Sequence, residues 1–306
     1  MDLPIPPQAD RFSGFADLYD ANRPSPPPEI GAVLSSYARI SAPVVVDLGS
    51  GTGLSSRWAG AWAKSVIGVE PSDDMRRRAV ERGGANITYR PGIADRTGLD
   101  DGCADIVLAV QAMHWMDPTP THREVARLLR PGGVFATVDA DWPPVSGVVE
   151  AEAAWAVVHK RIRVFEARLS AGEDRAELRR SIDDDDPALA DEDLADPHRN
   201  RAMPGGVRSW SKTEHLGRMR ASGLFAFTRE LVFDALLQGE GSADRFVALL
   251  RSQGSYQALA KAGLSDGEIG ADVFERDVFS GFARSTAAGR TPEISFSWRV
   301  RLGVVR

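Results

Sequence analysis

The chain has 306 residues, 43% of them hydrophobic and 26% charged, with a net charge of −6 and a single cysteine, Cys103. That length points to one large core domain with a sizeable insertion or to two domains, and the composition is that of a soluble globular protein, not a fibrous, disordered or membrane chain. The acidic balance argues against nonspecific nucleic-acid binding, the lack of an apolar run of about 18 residues against a membrane span, and the lone thiol against an internal disulfide or a soft metal site.

Residues 12–30, FSGFADLYDANRPSPPPEI, combine aromatics with a proline cluster and predict an ordered arm that kinks into a helix over 31–40. VVVDLG then reads as a buried strand, LSSRWAGAWA as a helix, VIGVE as a second strand and SDDMRRRAVERG as a helix capped by Ser72. NITYRPG, DIVLAVQA and VFATVDAD follow as strands, with THREVARLLRPGG an amphipathic helix stopping at Pro-Gly-Gly. Strands alternating with helices predict a parallel α/β sheet with right-handed crossovers. After Trp142 the alternation ends: a long helix over 147–170 is expected, then an acidic Pro- and Gly-rich loop over 181–206. A helix from Ser211, a strand over 225–237, helices across 242–285 and a last strand over 293–305 complete the reading.

Three glycines at alternate positions, Gly49, Gly51 and Gly53, follow the first strand. A strand, a Gly-rich turn and a helix N-terminus let a ligand lie against backbone N–H groups. The dinucleotide fingerprint G-x-G-x-x-G needs its third glycine at position 54, where Leu54 stands, so the spacing is wrong for a pyrophosphate turn. Asp47 at the strand end would oppose a diphosphate but suit an ammonium. Glu70, about twenty residues on at the second strand tip, can accept from both hydroxyls of a ribose. A ribose with a cationic tail describes S-adenosylmethionine better than NAD.

VVDLGSGTG, VIGVEPS, GIADRTGLDDGCADIVLAVQAMHW and LLRPGGVFATVD, in that order over 44–141, resemble the class I S-adenosylmethionine-dependent methyltransferases. YDANRP and QAMHWMD look like the branch containing trans-aconitate methyltransferase and many small-molecule methyltransferases. The resemblance implies a Rossmann-like seven-stranded, mostly parallel sheet with helices on both faces and a helical lid insertion. Residues 1–145 would be the cofactor-binding core with its arm, 146–215 the lid, and 216–306 the C-terminal part of the core with a further helical insertion.

The resemblance also implies contacts. Asp47, Gly49, Ser50, Gly51 and Gly53 would surround the methionine moiety, Glu70 the ribose, with Pro71 and Ser72 beside it. Ala94 and Asp95 would flank the adenine, Gln111 and Ala112 would lie beneath the sulfonium, and Tyr19 and Arg23 would close over the cofactor, Arg23 toward its carboxylate. S-adenosylhomocysteine would be the product.

Methyl transfer needs alignment and a dry pocket, and a base only if the acceptor must lose a proton. His114, just past the fourth strand, is the candidate base, or else lines the pocket. Trp115, Asp141 and His159 are candidate substrate contacts; Asp139 and Asp141, ending the fifth strand, would face the substrate or else cap the next turn. Met113 and Met116 would fill pocket volume. Trp155, Phe165, Trp210 and Phe246 suggest an apolar or aromatic acceptor, while Arg161, Arg163 and Arg251 would equally hold a carboxylate. The acidic run of 183–193 is either a hard-cation site or a solvated loop, and the loop reading leaves no metal expected. A small-molecule acceptor, no nucleic acid, no membrane and a cytoplasmic location complete the expectations, the last from a start without a basic leader or apolar h-region. The alternatives are a protein that binds the cofactor without transferring methyl, and an NAD-linked oxidoreductase.

Overall fold

The computed structural model describes residues 16–173, 201–203 and 207–306. Helix α1 (Ala16–Asn22) and helix α2 (Pro28–Ala38) precede strand β1 (Val44–Leu48). Then come α3 (Leu54–Gly60), β2 (Ser65–Val69), α4 (Asp73–Glu81), β3 (Ile87–Arg90) and β4 (Ala104–Val110). A 3-10 turn (Met113–Trp115) leads to α5 (Pro118–Leu128) and β5 (Leu129–Ala140). Beyond it lie α6 (Val149–Ser170), β6 (Arg201–Met203), β7 (Val207–Ser209), a 3-10 turn (Lys212–Glu214), α7 (His215–Ser222) and β8 (Phe225–Glu240). Four helices, α8 (Ala243–Arg251), α9 (Gly254–Lys261), α10 (Asp266–Ile269) and α11 (Ala271–Ala287), precede the last strand, β9 (Glu293–Val305).

Seven strands form one sheet in the order β3-β2-β1-β4-β5-β9-β8. Pairings from β3 to β5 are parallel, and β9 runs antiparallel to both β5 and β8. This is the mostly parallel Rossmann-like α/β sheet that the sequence predicts. Strand side chains alternate between faces, so Val45, Ile106 and Val134 enter one apolar cluster while Val46, Val107 and Phe135 enter another. Both clusters include helical residues, Leu34 and Trp58 in the first and Val125 and Met219 in the second. A sheet covered on both faces explains why β4 is almost continuously apolar.

Local chemistry sets the element ends. Ser72 caps α4 by accepting from the Met75 N–H, as its position predicts, and Asp117 caps α5 through the Thr119 N–H. Several boundaries differ from the sequence reading, two of them through strand pairing. Helix α5 ends at Leu128, not at the Pro-Gly-Gly, because Leu129 is already extended and pairs with Ala104 of β4. Residues 201–203, read as loop, form β6, which pairs antiparallel with β7; the acidic run 183–193 lies outside the described residues.

Helices α6, α8 and α11 share an aromatic core. Trp155 of α6, 1% exposed, meets Phe246 of α8 edge-on at 5.4 Å and Phe274 of α11 at 5.9 Å. Its other side stacks on Trp142 at 5.8 Å, and Trp142 meets Phe296 of β9 at 5.2 Å, tying this layer to the sheet.

His122 of α5 lies edge-on between Phe135 and Phe225, each 5.8 Å away, with no hydrogen-bond partner for its Nε2. Burial lowers its pKa from 6.5 to about 4, with the Arg218 charge adding to the effect. Because the folded value lies below the unfolded one, this group's stabilising contribution is whole above pH 6.5 and lost as pH falls toward 4, a difference of about 3 kcal/mol. Urea unfolding of His122→Leu is expected to show a pH dependence shallower than wild type by about 1.4 kcal/mol per pH unit between those limits.

Candidate functional site

After Leu48 the chain reverses into α3 within five residues, and Gly49, Gly51 and Gly53 all take positive φ, at 66°, 54° and 81°. A Cβ on Gly53 would sit 2.2 Å from Tyr89 Oη, so that position has no room. Gly51 is the opposite case: a Cβ there would meet nothing within 4 Å, and the residue borders a cavity of about 370 Å³.

Two acids hold this turn in different ways. Glu70, at the tip of β2 and 6% exposed, accepts the Gly51 N–H through Oε2 and the Ser72 N–H through Oε1, both at 2.9 Å. It stands on the cavity wall, and burial raises its pKa despite those N–H groups and Arg76. Asp47 lies beneath the turn and off the wall, with Oδ2 accepting the Ser55 and Ser56 hydroxyls at 2.7 and 2.6 Å. Its Oδ1 is buried without a hydrogen-bond partner, and burial raises its pKa to about 6. Asp47 thus supports the turn from behind through Ser55 and Ser56.

The arm docks on the same turn. Asp20 of α1 accepts the Thr52 hydroxyl at 2.6 Å and pairs with Arg57 at 2.9 Å and with Arg82. Arg23 lines the cavity, donating to Ser252 O at 3.1 Å and lying 5.0 Å over the Trp142 ring. Tyr19 belongs to α1, but its side chain lies outside the described residues.

At the tip of β4, Gln111 adopts a φ of 52°, unusual for a residue with a side chain. Its Oε1 accepts from Lys212 Nζ at 2.7 Å, and that ammonium also lies 3.1 Å from the Asp139 carboxylate. Asp139 is 2% exposed; burial pushes its pKa up, but Lys212, His215, His114 and Arg301 outweigh that and hold the carboxyl low. Arg301 in turn pairs with Glu230 at 2.7 Å.

The 3-10 turn then sends three adjacent side chains in different directions. Met113 enters the core, and Trp115 reaches the cavity wall. His114 lies behind that wall, 4.7 Å from the Trp115 ring, with its Nδ1 lacking a partner. Burial, with the Lys212 charge added, holds its pKa well below the usual value, so the imidazole is neutral at pH 7. The imidazole stands beside Trp115 and is not part of the cavity lining.

Of the remaining candidates, Gly49, Ser50, Pro71, Ala94, Asp95 and Ala112 line the cavity with Gly51, Glu70 and Gln111. Gly53 and Ser72 shape it without reaching the wall. Asp141 is taken up by Arg299 at 2.9 Å, and His159 on α6 is also off the wall. Trp155, Phe165 and Phe246 are core residues at most 1% exposed, and Arg251 pairs with Asp266 and Glu275. From that list of lid residues, Trp210 alone reaches the cavity, joined by Pro24, Pro26, Met116 and Asp117. Asp20 and Thr52 went unread because nothing local in the sequence announces a pairing 32 residues apart.

Among the described residues there is no cluster of His, Cys, Asp and Glu able to hold a metal, and no helix long and apolar enough to cross a membrane.

Residues 46–137 match a family model described as a methyltransferase domain. An uncharacterized methyltransferase of Mycobacterium tuberculosis (strain H37Rv) is 39% identical over 131 residues, covering 42% of this chain and 51% of that protein. An uncharacterized methyltransferase of Bacillus subtilis is 28% identical over 134 residues, covering 42% and 53%. The chain thus spans about half the length of these curated relatives. A solved structure assigned as a type II methyltransferase from Anaeromyxobacter dehalogenans superposes with a TM-score of 0.53 over 93% of this chain and 97% of its own, at 20% identity, a likeness of fold.

Proposed function

We propose that the chain, whose residues 46–137 match a methyltransferase domain, is a class I S-adenosylmethionine-dependent enzyme that transfers a methyl group from that cofactor to a small-molecule acceptor. One observation carries the reading: the Glu70 carboxylate stands on the cavity wall, joined to the Gly51 N–H, where the turn leaves open space. A buried acceptor opposite an open backbone cradle suits a ribose and its attached chain, and the orphaned Asp47 Oδ1 beneath the turn adds negative potential for a cationic group.

On this reading Glu70 receives the ribose hydroxyls, Asp95 and Ala94 border the adenine, and Ser50, Gly49 and Arg23 surround the methionine end, with Ala112 and Gln111 below. When bound, S-adenosylmethionine supplies an electrophilic methyl: an acceptor lone pair forms the new bond to carbon, the C–S pair returns to sulfur, and a hydroxyl or amine acceptor releases a proton. The chain's contribution is alignment and exclusion of water, supplied by the arm and Trp210 around the cavity. His114, behind the wall, is not given a direct proton-transfer role. The acceptor's small size follows from the modest cavity, and a cytoplasmic location is part of the same reading.

Calorimetry is the test. S-adenosylhomocysteine is expected to bind at one site and NADH not at all, and incubation with S-adenosylmethionine and an acceptor panel to yield methylated product. Binding without product for any acceptor would favour a module that uses the cofactor without transfer. NADH binding in place of S-adenosylhomocysteine would overturn the choice of cofactor.

A further inference from the structure

We propose that the acceptor is an uncharged aromatic molecule received against the indole rings of Trp115 and Trp210, an inference that rests on the methyltransferase reading.

The cavity wall divides by origin. Its glycine turn, Glu70 and the residues around Ala94 come from the stretch matched by the family model, 46–137, whereas Pro24, Pro26 and Trp210 come from outside it. Specificity peculiar to this chain therefore belongs with the second group. Trp210 is fixed there by backbone: its N–H donates to His114 O at 2.8 Å, strapping its segment to the turn that carries Trp115. Two residues on, Lys212 repeats the tether through Gln111 Oε1 at 2.7 Å. Two indoles on rigidly joined segments present flat, apolar surface with little entropy left to lose on binding.

Charge points the same way. The described residues of the wall carry three carboxylates, those of Glu70, Asp95 and Asp117, and one cation, Arg23. Arg23 is already engaged by Ser252 O, Gln253 Oε1 and the Trp142 ring. Lys212 lies off the wall and is matched to Asp139, and Arg251 is matched to Asp266 and Glu275. On the proposed reading Glu70, Asp95 and Arg23 are taken by the cofactor, which leaves Asp117 as the charged group of the described wall for the acceptor to meet, so an anionic acceptor would give up its hydration without gaining a cation, while a neutral ring gives up little.

The experiment uses the full chain saturated with S-adenosylhomocysteine and three probes on one bicyclic carbon skeleton: planar 2-naphthol, planar and charged 2-naphthoate, and puckered decahydro-2-naphthol. Calorimetry is expected to show 2-naphthol binding about tenfold more tightly than the charged or the saturated analogue. Trp210→Ala is expected to weaken 2-naphthol about tenfold more than it weakens S-adenosylhomocysteine, and Trp210→Phe to restore most of the difference. A thermal melt of both variants separates this from unfolding. Naphthoate or the saturated alcohol binding as well as 2-naphthol, or Trp210→Ala leaving naphthol affinity unchanged, overturns the acceptor proposal and leaves the cofactor assignment standing. Failure of S-adenosylhomocysteine to bind the wild-type chain overturns both.

Discussion

Glu70→Ala is expected to lower the affinity for S-adenosylhomocysteine by roughly 100-fold, about 2.7 kcal/mol, in a calorimetric titration. The substitution removes a proposed ribose acceptor and also strips the Gly51 and Ser72 N–H groups of their carboxylate. Hydrogen bonds to a charged partner are worth about 1.5–3 kcal/mol each, so the turn itself should lose its shape along with the direct contact. Glu70→Gln keeps one acceptor oxygen and is expected to lose only about tenfold. An alanine variant that binds like wild type would remove the observation on which the cofactor assignment stands.

The largest effect on stability is expected at Trp155. Truncating it to alanine empties the meeting point of Trp142, Phe246 and Phe274, at a cost of about 3–5 kcal/mol. Urea unfolding should show the midpoint moving down. Because Trp142 and Phe296 carry the same aromatic contact into the sheet, the loss should appear as one shifted transition shared by the helical layer and the sheet. A separate early transition, with the rest unmoved, would show that the helical layer unfolds by itself.

The parallel half of the sheet was legible because its signals are local. β1 and β4 are nearly continuous apolar runs bounded by turn residues, Ser72 caps its own helix, and the alternate glycines mark the turn after β1, where all three take positive φ. Glu70 was legible for the same reason: a strand tip is a position that can be counted to. What failed to show was direction and distance. The sequence places Met113, His114 and Trp115 side by side, but the 3-10 turn rotates neighbouring side chains by about 120°, so Met113 enters the core while Trp115 lines the cavity. Sequence also cannot show that the Asp47 carboxylate is turned under the glycine turn toward Ser55 and Ser56. The aromatics Trp155, Phe165 and Phe246 were grouped with Trp210, yet only a folded chain distinguishes packing within a helical layer from exposure to a cavity. The bond from Trp210 to His114 spans 96 positions and leaves no trace in either neighbourhood.

The hydroxyl of Thr52 belongs to the glycine turn, and its acceptor, Asp20, belongs to the arm. Seating of the arm and the shape of the turn are thus two readings of one equilibrium, and thermodynamic reciprocity lets neither change alone. An occupant whose binding depends on that hydrogen bond changes the seating of the first helix by the same factor that the helix changes its affinity. The beginning of the chain thereby becomes a reporter of what the domain holds.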